Sequence, residues 1–115
     1  MAIVLDGNKT VNLPEVVIEI IQTIVKKFRP KKVILFGSYA TGTAEANSDI
    51  DLLVVVDADK KDWRDISVKI RVALNAFDIS KDIIVVNQST LEQRANDWWS
   101  IYCSALKEGV VVYEE

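Results

Sequence analysis

Residues 36 to 56 read FGSYATGTAEANSDIDLLVVV: a glycine-serine pair, ten residues, then two aspartates spaced i, i+2 at the head of an apolar run. A carboxylate beside a buried strand without a partner costs several kcal/mol on an order-of-magnitude scale, and a bound cation offsets that cost. On a strand, alternate side chains share a face, so Asp49 and Asp51 emerge together about 6–7 Å apart while Ile50 and Leu52 turn to the core. Two such carboxylates can share a pair of divalent cations. In two-metal sites the ions lie roughly 3.5–4 Å apart, one activating an attacking oxygen and the other steadying the leaving oxygen of a phosphoryl or nucleotidyl transfer. Asp82 is the candidate third ligand, since IIVV follows it much as LLVVV follows Asp51. If those two strands are parallel neighbours, Asp82 comes level with the pair. Gly37 permits close backbone approach, the N–H groups of a helical turn starting at Ser38 form an anion site, and Ser38 adds a hydroxyl. Phosphates held there and cations held by the aspartates would orient a nucleoside triphosphate across both.

Composition narrows the metal chemistry. The 115 residues include no histidine and one cysteine, Cys103, so an internal disulfide and a cysteine-rich zinc site are excluded. Any metal must be held by oxygen, which selects hard cations such as magnesium or manganese. A net charge of −3 argues against general nucleic-acid binding, because a duplex binder carries a basic face. No apolar run exceeds about five residues, far short of the roughly 20 needed to span a bilayer. The N-terminus, MAIVLDGNKT, has no basic region and too brief an apolar segment for a signal peptide, so a cytoplasmic protein is expected. The length suits one domain covering residues 1–115.

The elements that must position these residues follow from periodicity. Residues 3 to 11 suggest a small hairpin around Asp6-Gly7. From Leu13 to Phe28, apolar residues recur at the 3.6-residue period of an amphipathic helix, with Pro14 near its start and Pro30 beyond its end. KVILFG, 32 to 37, reads as a strand buried on both faces, and a helical turn starts at Ser38. Residues 42 to 48 form a small-residue loop, and Asp49 to Val56 a second strand. Asp62 is the expected N-cap of a helix whose apolar face carries Ile66, Ile70, Val72, Ala73, Leu74 and Phe77. KDIIVV, 81 to 86, is a third strand. Ser89 and Glu92 have capping-box spacing, opening a helix with Leu91, Ala95, Trp98, Tyr102 and Leu106 on one stripe. Gly109 closes it, and VVVY, 110 to 113, forms an edge strand. Helices alternating with apolar strands indicate an α/β layer fold. The connection between the second and third strands, a full helix, suits a parallel crossover, whereas the first two strands are joined by about a dozen residues, so a mixed sheet is expected.

The GS at 37–38, the ten residues YATGTAEANS and the DID at 49–51 together resemble the signature of the DNA polymerase β-like nucleotidyltransferase superfamily. Within it the chain is most similar to the small, single-domain minimal nucleotidyltransferases, and the preceding helix, the aspartate of KDIIVV and the C-terminal EGVVVY extend the resemblance over most of the chain. The resemblance implies an α/β nucleotidyltransferase fold with a small mixed sheet packed with helices. It implies that Asp49 and Asp51 bind magnesium, that Asp82 ligates the catalytic metal beside the acceptor hydroxyl, and that Gly37 and Ser38 contact the triphosphate. The implied reaction is attack on the α-phosphorus of ATP with loss of pyrophosphate. Members of this group are often paired with a HEPN-type toxin in toxin–antitoxin modules, where the nucleotidyltransferase adenylylates the toxin. Many relatives have an arginine where this chain has Thr41, which removes a cation near the phosphates.

Plainer readings stand beside these. The aspartates could simply flank strands in solvent, and Gly37-Ser38 could be only a tight turn. A degenerate domain that binds its partner without catalysis is the rival to an enzyme, with Thr41 as its main support. The basic run KKFRPKK, 26 to 32, could bind nucleic acid or an acidic partner surface, but the simpler expectation is a solvated helix end whose cations favour the negative pole of the helix dipole, away from Ser38. Adjacent on a predicted helix, Trp98 and Trp99 cannot both face the core squarely, so one could lie at a partner surface, although core packing with partial exposure is the simpler expectation. Cys103 is expected to be a small packed residue.

Overall fold

The computed structural model describes residues 2–5 and 9–115, with side chains from Leu13 onward. Two short strands, β1 (Ala2–Leu5) and β2 (Lys9–Asn12), pair antiparallel, as the expected hairpin requires; its Asp6-Gly7 turn lies outside the described residues. Helix α1 (Glu15–Phe28) follows Pro14, whose φ of −56° suits a helix entry, and buries Val17, Ile18, Ile20, Ile21 and Ile24 as one stripe. It ends where Arg29 adopts a left-handed conformation, φ 46°, directly before Pro30.

The remaining elements are β3 (Lys32–Phe36), α2 (Ser38–Thr41), β4 (Ile50–Val56), α3 (Lys60–Ala73), β5 (Lys81–Asn87), α4 (Gln88–Gln93), α5 (Ile101–Glu108) and β6 (Val110–Glu114). Four strands form a mixed sheet in the order β5-β4-β3-β6. β4 and β5 run parallel, joined by the α3 crossover, while β3 is antiparallel to both β4 and β6. The expected mixed sheet and edge position of the last strand are therefore both observed.

Strand alternation builds a core on each face. Val33, Leu35, Ile50, Leu52, Val54, Ile83 and Val85 pack with residues of α1, with Ile70 of α3 and with Leu74 at its C-cap. On the opposite face, Ile34, Phe36, Leu53, Val55 and Val86 pack with Leu91 of α4 and Ala105 of α5. Both β3 and β4 are covered on two sides, which explains their unbroken apolar runs. At the turn into β6, Gly109 is required by space: a Cβ there would lie 2.9 Å from both the Ile34 Cγ2 and the Leu35 carbonyl oxygen.

Four expectations are corrected. The N-cap of α3 is Asp59, and Asp62 lies in the first turn. Trp63 explains the earlier start, because its ring packs against both cores while its Nε1 donates to the Ala58 carbonyl at 3.0 Å. Val72 does not belong to the apolar face of α3 but is 70 % exposed, two residues from buried Ile70 and so on the far side of the helix. The single helix expected from Ser89 through Leu106 is two helices. Asn87 caps α4, its Oδ1 accepting from the Thr90 N–H at 2.8 Å, and Glu92 pairs with Gln88 instead of reaching back to a cap. Ser100 caps α5 by accepting from the Cys103 N–H at 3.2 Å. Separating the helices lets α5 turn Cys103 and Ala105 into the interior. It also leaves Trp98 and Trp99, 81 % and 66 % exposed, stacked edge to face with centroids 5.9 Å apart on the surface, so neither packs as expected. No helix among the described residues is long and apolar enough to cross a membrane.

Candidate functional site

The strand register brings the aspartates together. Phe36 of β3 is paired with Asp51 of β4, and Asp51 with Asp82 of β5, so Gly37, Asp51 and Asp82 stand at one end of three adjacent strands. Neighbouring strands lie about 4.8 Å apart, which makes Asp82 an immediate neighbour of Asp51. Asp51 has the parity of Leu53 and Val55, and Asp82 that of Val86, so both belong to the face covered further along by α4 and α5. Asp49 immediately precedes β4 and shares that parity.

The loop that delivers Asp49 is closed by its own bonds. The Ser48 Oγ accepts from the Glu45 N–H at 2.7 Å, and the Ser48 N–H returns to the Glu45 carbonyl at 3.1 Å. The Ile50 N–H then donates to the Ser80 carbonyl at 2.9 Å, tying the start of β4 to the start of β5. These contacts are made by the chain itself and hold the two aspartate-bearing strand ends level.

The turn after β3 is bracketed by two glycines in the left-handed region, Gly37 at φ 73° and Gly42 at φ 79°. Gly42 has open space around it, so its conformation alone calls for glycine. Gly37 is constrained twice, because a Cβ there would also collide with the Asp51 carboxylate, meeting its Cγ at 3.1 Å. Gly37 and Asp51 are thus packed directly against each other. Ser38 opens α2, whose first turn uses the Gly37 carbonyl to accept from Ala40 and Thr41, leaving the Ser38 and Tyr39 N–H groups outside the helical ladder. Thr41 Oγ1 is absorbed by the same turn, 3.0 Å from the Thr43 hydroxyl and 3.4 Å from the Gly37 and Ser38 carbonyl oxygens.

The electrostatics carry the mark of gathered negative charge. The Asp51 carboxyl is held above its ordinary value of 3.8 by burial first, then by the charges of Asp82 and Asp49. A hard cation would relieve all three causes at once. Among the described residues, no three carboxylates close tightly enough to enclose an ion by themselves. Magnesium in nucleotide sites is held by one or two carboxylates plus substrate phosphates rather than by an all-protein cage. An oxygen-only donor set whose middle member, Asp51, lies against Gly37 fits such an ion.

Arg71 is a neighbour that sequence reasoning missed. It reaches from α3 across the outer edge of β5, placing Nη2 4.0 Å from Asp82 Oδ1. No local pattern marks it, because only the packing of α3 on β5 brings the two together. Lys81, next to Asp82 in sequence, is spent elsewhere: its Nζ donates to the Phe77 and Ile79 carbonyls at 2.8 and 2.6 Å and closes the loop from α3 to β5. The basic run also stands apart, as expected. Lys31 and Lys32 lie at the opposite end of β3 from Ser38 and pair with Glu115 and Glu114, each at 3.3 Å. A cleft of about 680 Å³ opens at that end between these lysines, Asp57, Asp59 and Asn87, and none of the five candidate residues lines it.

Comparison with known proteins gives the family. Residues 17–112 match the family model described as nucleotidyltransferase domain. The chain is 35 % identical over 97 residues to the "Putative protein adenylyltransferase" of Methanocaldococcus jannaschii, an alignment covering 83 % of this chain and 92 % of that protein. Among solved structures, it resembles a "putative nucleotidyltransferase" from Sulfolobus solfataricus with a TM-score of 0.61 at 20 % identity, covering 88 % of this chain and 79 % of the other. A toxin–antitoxin complex with AMP-PNP gives a TM-score of 0.54 at 23 % identity, covering 84 % and 72 %. At these identities the two structures speak for the fold alone. The family match and the archaeal relative go further: this chain belongs to the nucleotidyltransferase domain family.

Proposed function

We propose that the protein is a magnesium-dependent nucleotidyltransferase that moves AMP from ATP to a hydroxyl of a partner protein, acting as the antitoxin of a HEPN-type toxin–antitoxin module. The observation that carries the reading is the row formed by Gly37, Asp51 and Asp82 across three neighbouring strands, with Asp49 on the same face. The archaeal relative, by its name an adenylyltransferase that acts on protein, supports the choice of acceptor.

Asp49, Asp51 and Asp82 would hold the magnesium, which would neutralise the phosphate oxygens and polarise the reacting phosphorus. The Ser38 hydroxyl and the backbone N–H groups of its turn hold the triphosphate, and the absence of a Cβ at Gly37 lets the phosphates approach Asp51. Asp82, on the edge strand, stands where an acceptor has access. Its carboxylate takes the hydroxyl proton as the acceptor oxygen bonds to the α-phosphorus and the bond to the bridging oxygen of pyrophosphate breaks. Nucleotide attached near a toxin's active site would add bulk and negative charge that oppose RNA binding.

A second reading, a domain that neutralises its partner by binding alone, is favoured by Thr41, whose hydroxyl is committed to its own turn. Co-expression with the product of the neighbouring gene, followed by intact-mass measurement, separates the two. Catalysis predicts a gain of AMP on the partner that is abolished in Asp49→Asn and Asp51→Asn. A partner inhibited only while bound, with no added mass, would establish the second reading, and AMP on a free RNA end would replace the protein acceptor.

A further inference from the structure

Among the described residues, the only ion pair made by Asp49, Asp51 or Asp82 is the one between Asp82 and Arg71. The guanidinium does not depend on Asp82 for its place. Nη2 donates to the Ile83 carbonyl at 3.1 Å, and Nε donates to the Ser67 hydroxyl at 3.3 Å, one helical turn earlier on α3. Both bonds are made by a planar fork, which sets the orientation of the group as well as its position. Because β5 is the outermost strand of the sheet, its free edge lets the side chain cross from the α3 layer to the carboxylate row.

Asp82 needs such a neighbour. Its side chain is 53 % exposed at the start of an edge strand, where nothing in the core restricts its rotamers. It also stands level with Asp51 on the neighbouring strand, one carboxylate beside another. We infer that Arg71 is the positioning residue of the metal site: it holds Asp82 Oδ1 from outside the sheet, leaves the second oxygen to serve as ligand, and offsets the repulsion among the three carboxylates before a cation arrives. Partners of this kind, hydrogen-bonded or paired to a ligating carboxylate, commonly carry tenfold to a hundredfold of metal affinity. A lysine could supply charge at this position but has no Nε–H with which to keep the Ser67 bond that fixes the orientation of the group. The inference rests on the proposed metal site, and one experiment separates the two.

The test is Mn²⁺ binding to the isolated protein, followed by loss of the free-ion electron paramagnetic resonance signal. Wild type is compared with Arg71→Ala, Arg71→Lys, Asp82→Asn and the double variant Arg71→Ala/Asp82→Asn, with circular dichroism confirming that each is folded. Arg71→Ala is expected to weaken Mn²⁺ about tenfold, the lower end of the range for such partners because the pair is half exposed. Arg71→Lys should fall between it and wild type, and Arg71→Ala should cost nothing further once Asp82 is Asn. Unchanged or tighter binding in Arg71→Ala, with Asp82→Asn weakened, overturns the positioning role alone. An equal loss from Arg71→Ala in the Asp82→Asn background also overturns it, since that loss would come from loosened packing of α3 on β5. If wild type and an Asp49→Asn/Asp51→Asn variant bind Mn²⁺ alike, the metal site itself fails and the role of Arg71 falls with it.

Discussion

At Asp51 the proposed metal role and the stability of the fold oppose each other. This residue is partly buried at the end of the sheet, touches Gly37 and faces two more carboxylates, and burial together with those charges raises its pKa above 3.8. Between 3.8 and the raised value the folded chain holds more protons than the unfolded one, so stability falls as pH rises through that window and the cost persists above it. Asparagine, neutral throughout, escapes this cost. In buffer free of divalent ions, Asp51→Asn should therefore melt higher than wild type at pH 7, by on the order of a few degrees for a domain of this size. The difference should shrink toward zero as pH falls to the ordinary carboxylate range. Thermal scans across pH check this, and a variant that melts below wild type at pH 7 would contradict it. Added Mg²⁺ should raise the midpoint of wild type and leave that of Asp51→Asn nearly unchanged, because only a native state that binds the ion gains from it.

At the scale of elements, the break between α4 and α5 shows how caps compete with periodicity. The stripe from Leu91 to Leu106 is compatible with one helix, yet Asn87 and Ser100 each place a side-chain oxygen on an otherwise orphaned N–H, and Ser100, inside the stripe, starts a second helix there. Asn87 also donates from Nδ2 to the Ala58 carbonyl at 3.3 Å, joining the entry of α4 to that of α3. Asn87→Ala should consequently destabilise the fold by about 1–2 kcal/mol, the upper part of the range for a lost N-cap. Urea denaturation measures it, and since Asn87 lies at the far end of β5 from Asp82, Mn²⁺ affinity should not change. The parallel pairing of β4 with β5, in contrast, follows from a connection that holds a full helix and cannot be a hairpin.

For the molecule as a whole, the tryptophans separate burial from mere apolarity. Trp63 packs against the cores on both faces of the sheet and is hydrogen-bonded to Ala58, whereas Trp98 and Trp99 lie largely in solvent. Replacing both Trp98 and Trp99 by alanine should leave unfolding free energy within about 0.5 kcal/mol of wild type. Trp63→Ala should cost about 3 kcal/mol, as truncation of a large packed aromatic does. Chemical denaturation of the two variants makes the comparison, and a large loss from the Trp98/Trp99 variant would show that the surface pair supports the fold.

Much of the site was legible from local pattern alone. The i, i+2 spacing of Asp49 and Asp51 fixes their shared face whatever the rest of the fold does, because alternation is a property of the strand itself. The lack of histidine and the single cysteine restrict metal ligands to oxygen however the chain folds. The level position of Asp82 followed once a helical crossover made β4 and β5 parallel neighbours. Other features depended on contacts between residues distant in sequence. Trp63 drew the start of α3 forward to Asp59, the capping of α4 and α5 overrode a helical stripe, and the collision that forbids a side chain at Gly37 arises only when Asp51 comes alongside. Arg71 is the clearest case, since its approach to Asp82 depends on how α3 lies across the open edge of β5. Periodicity and spacing report which way a side chain faces within its own element. Which foreign atoms it meets is decided by the packing of one element on another, and that information is spread over the whole chain.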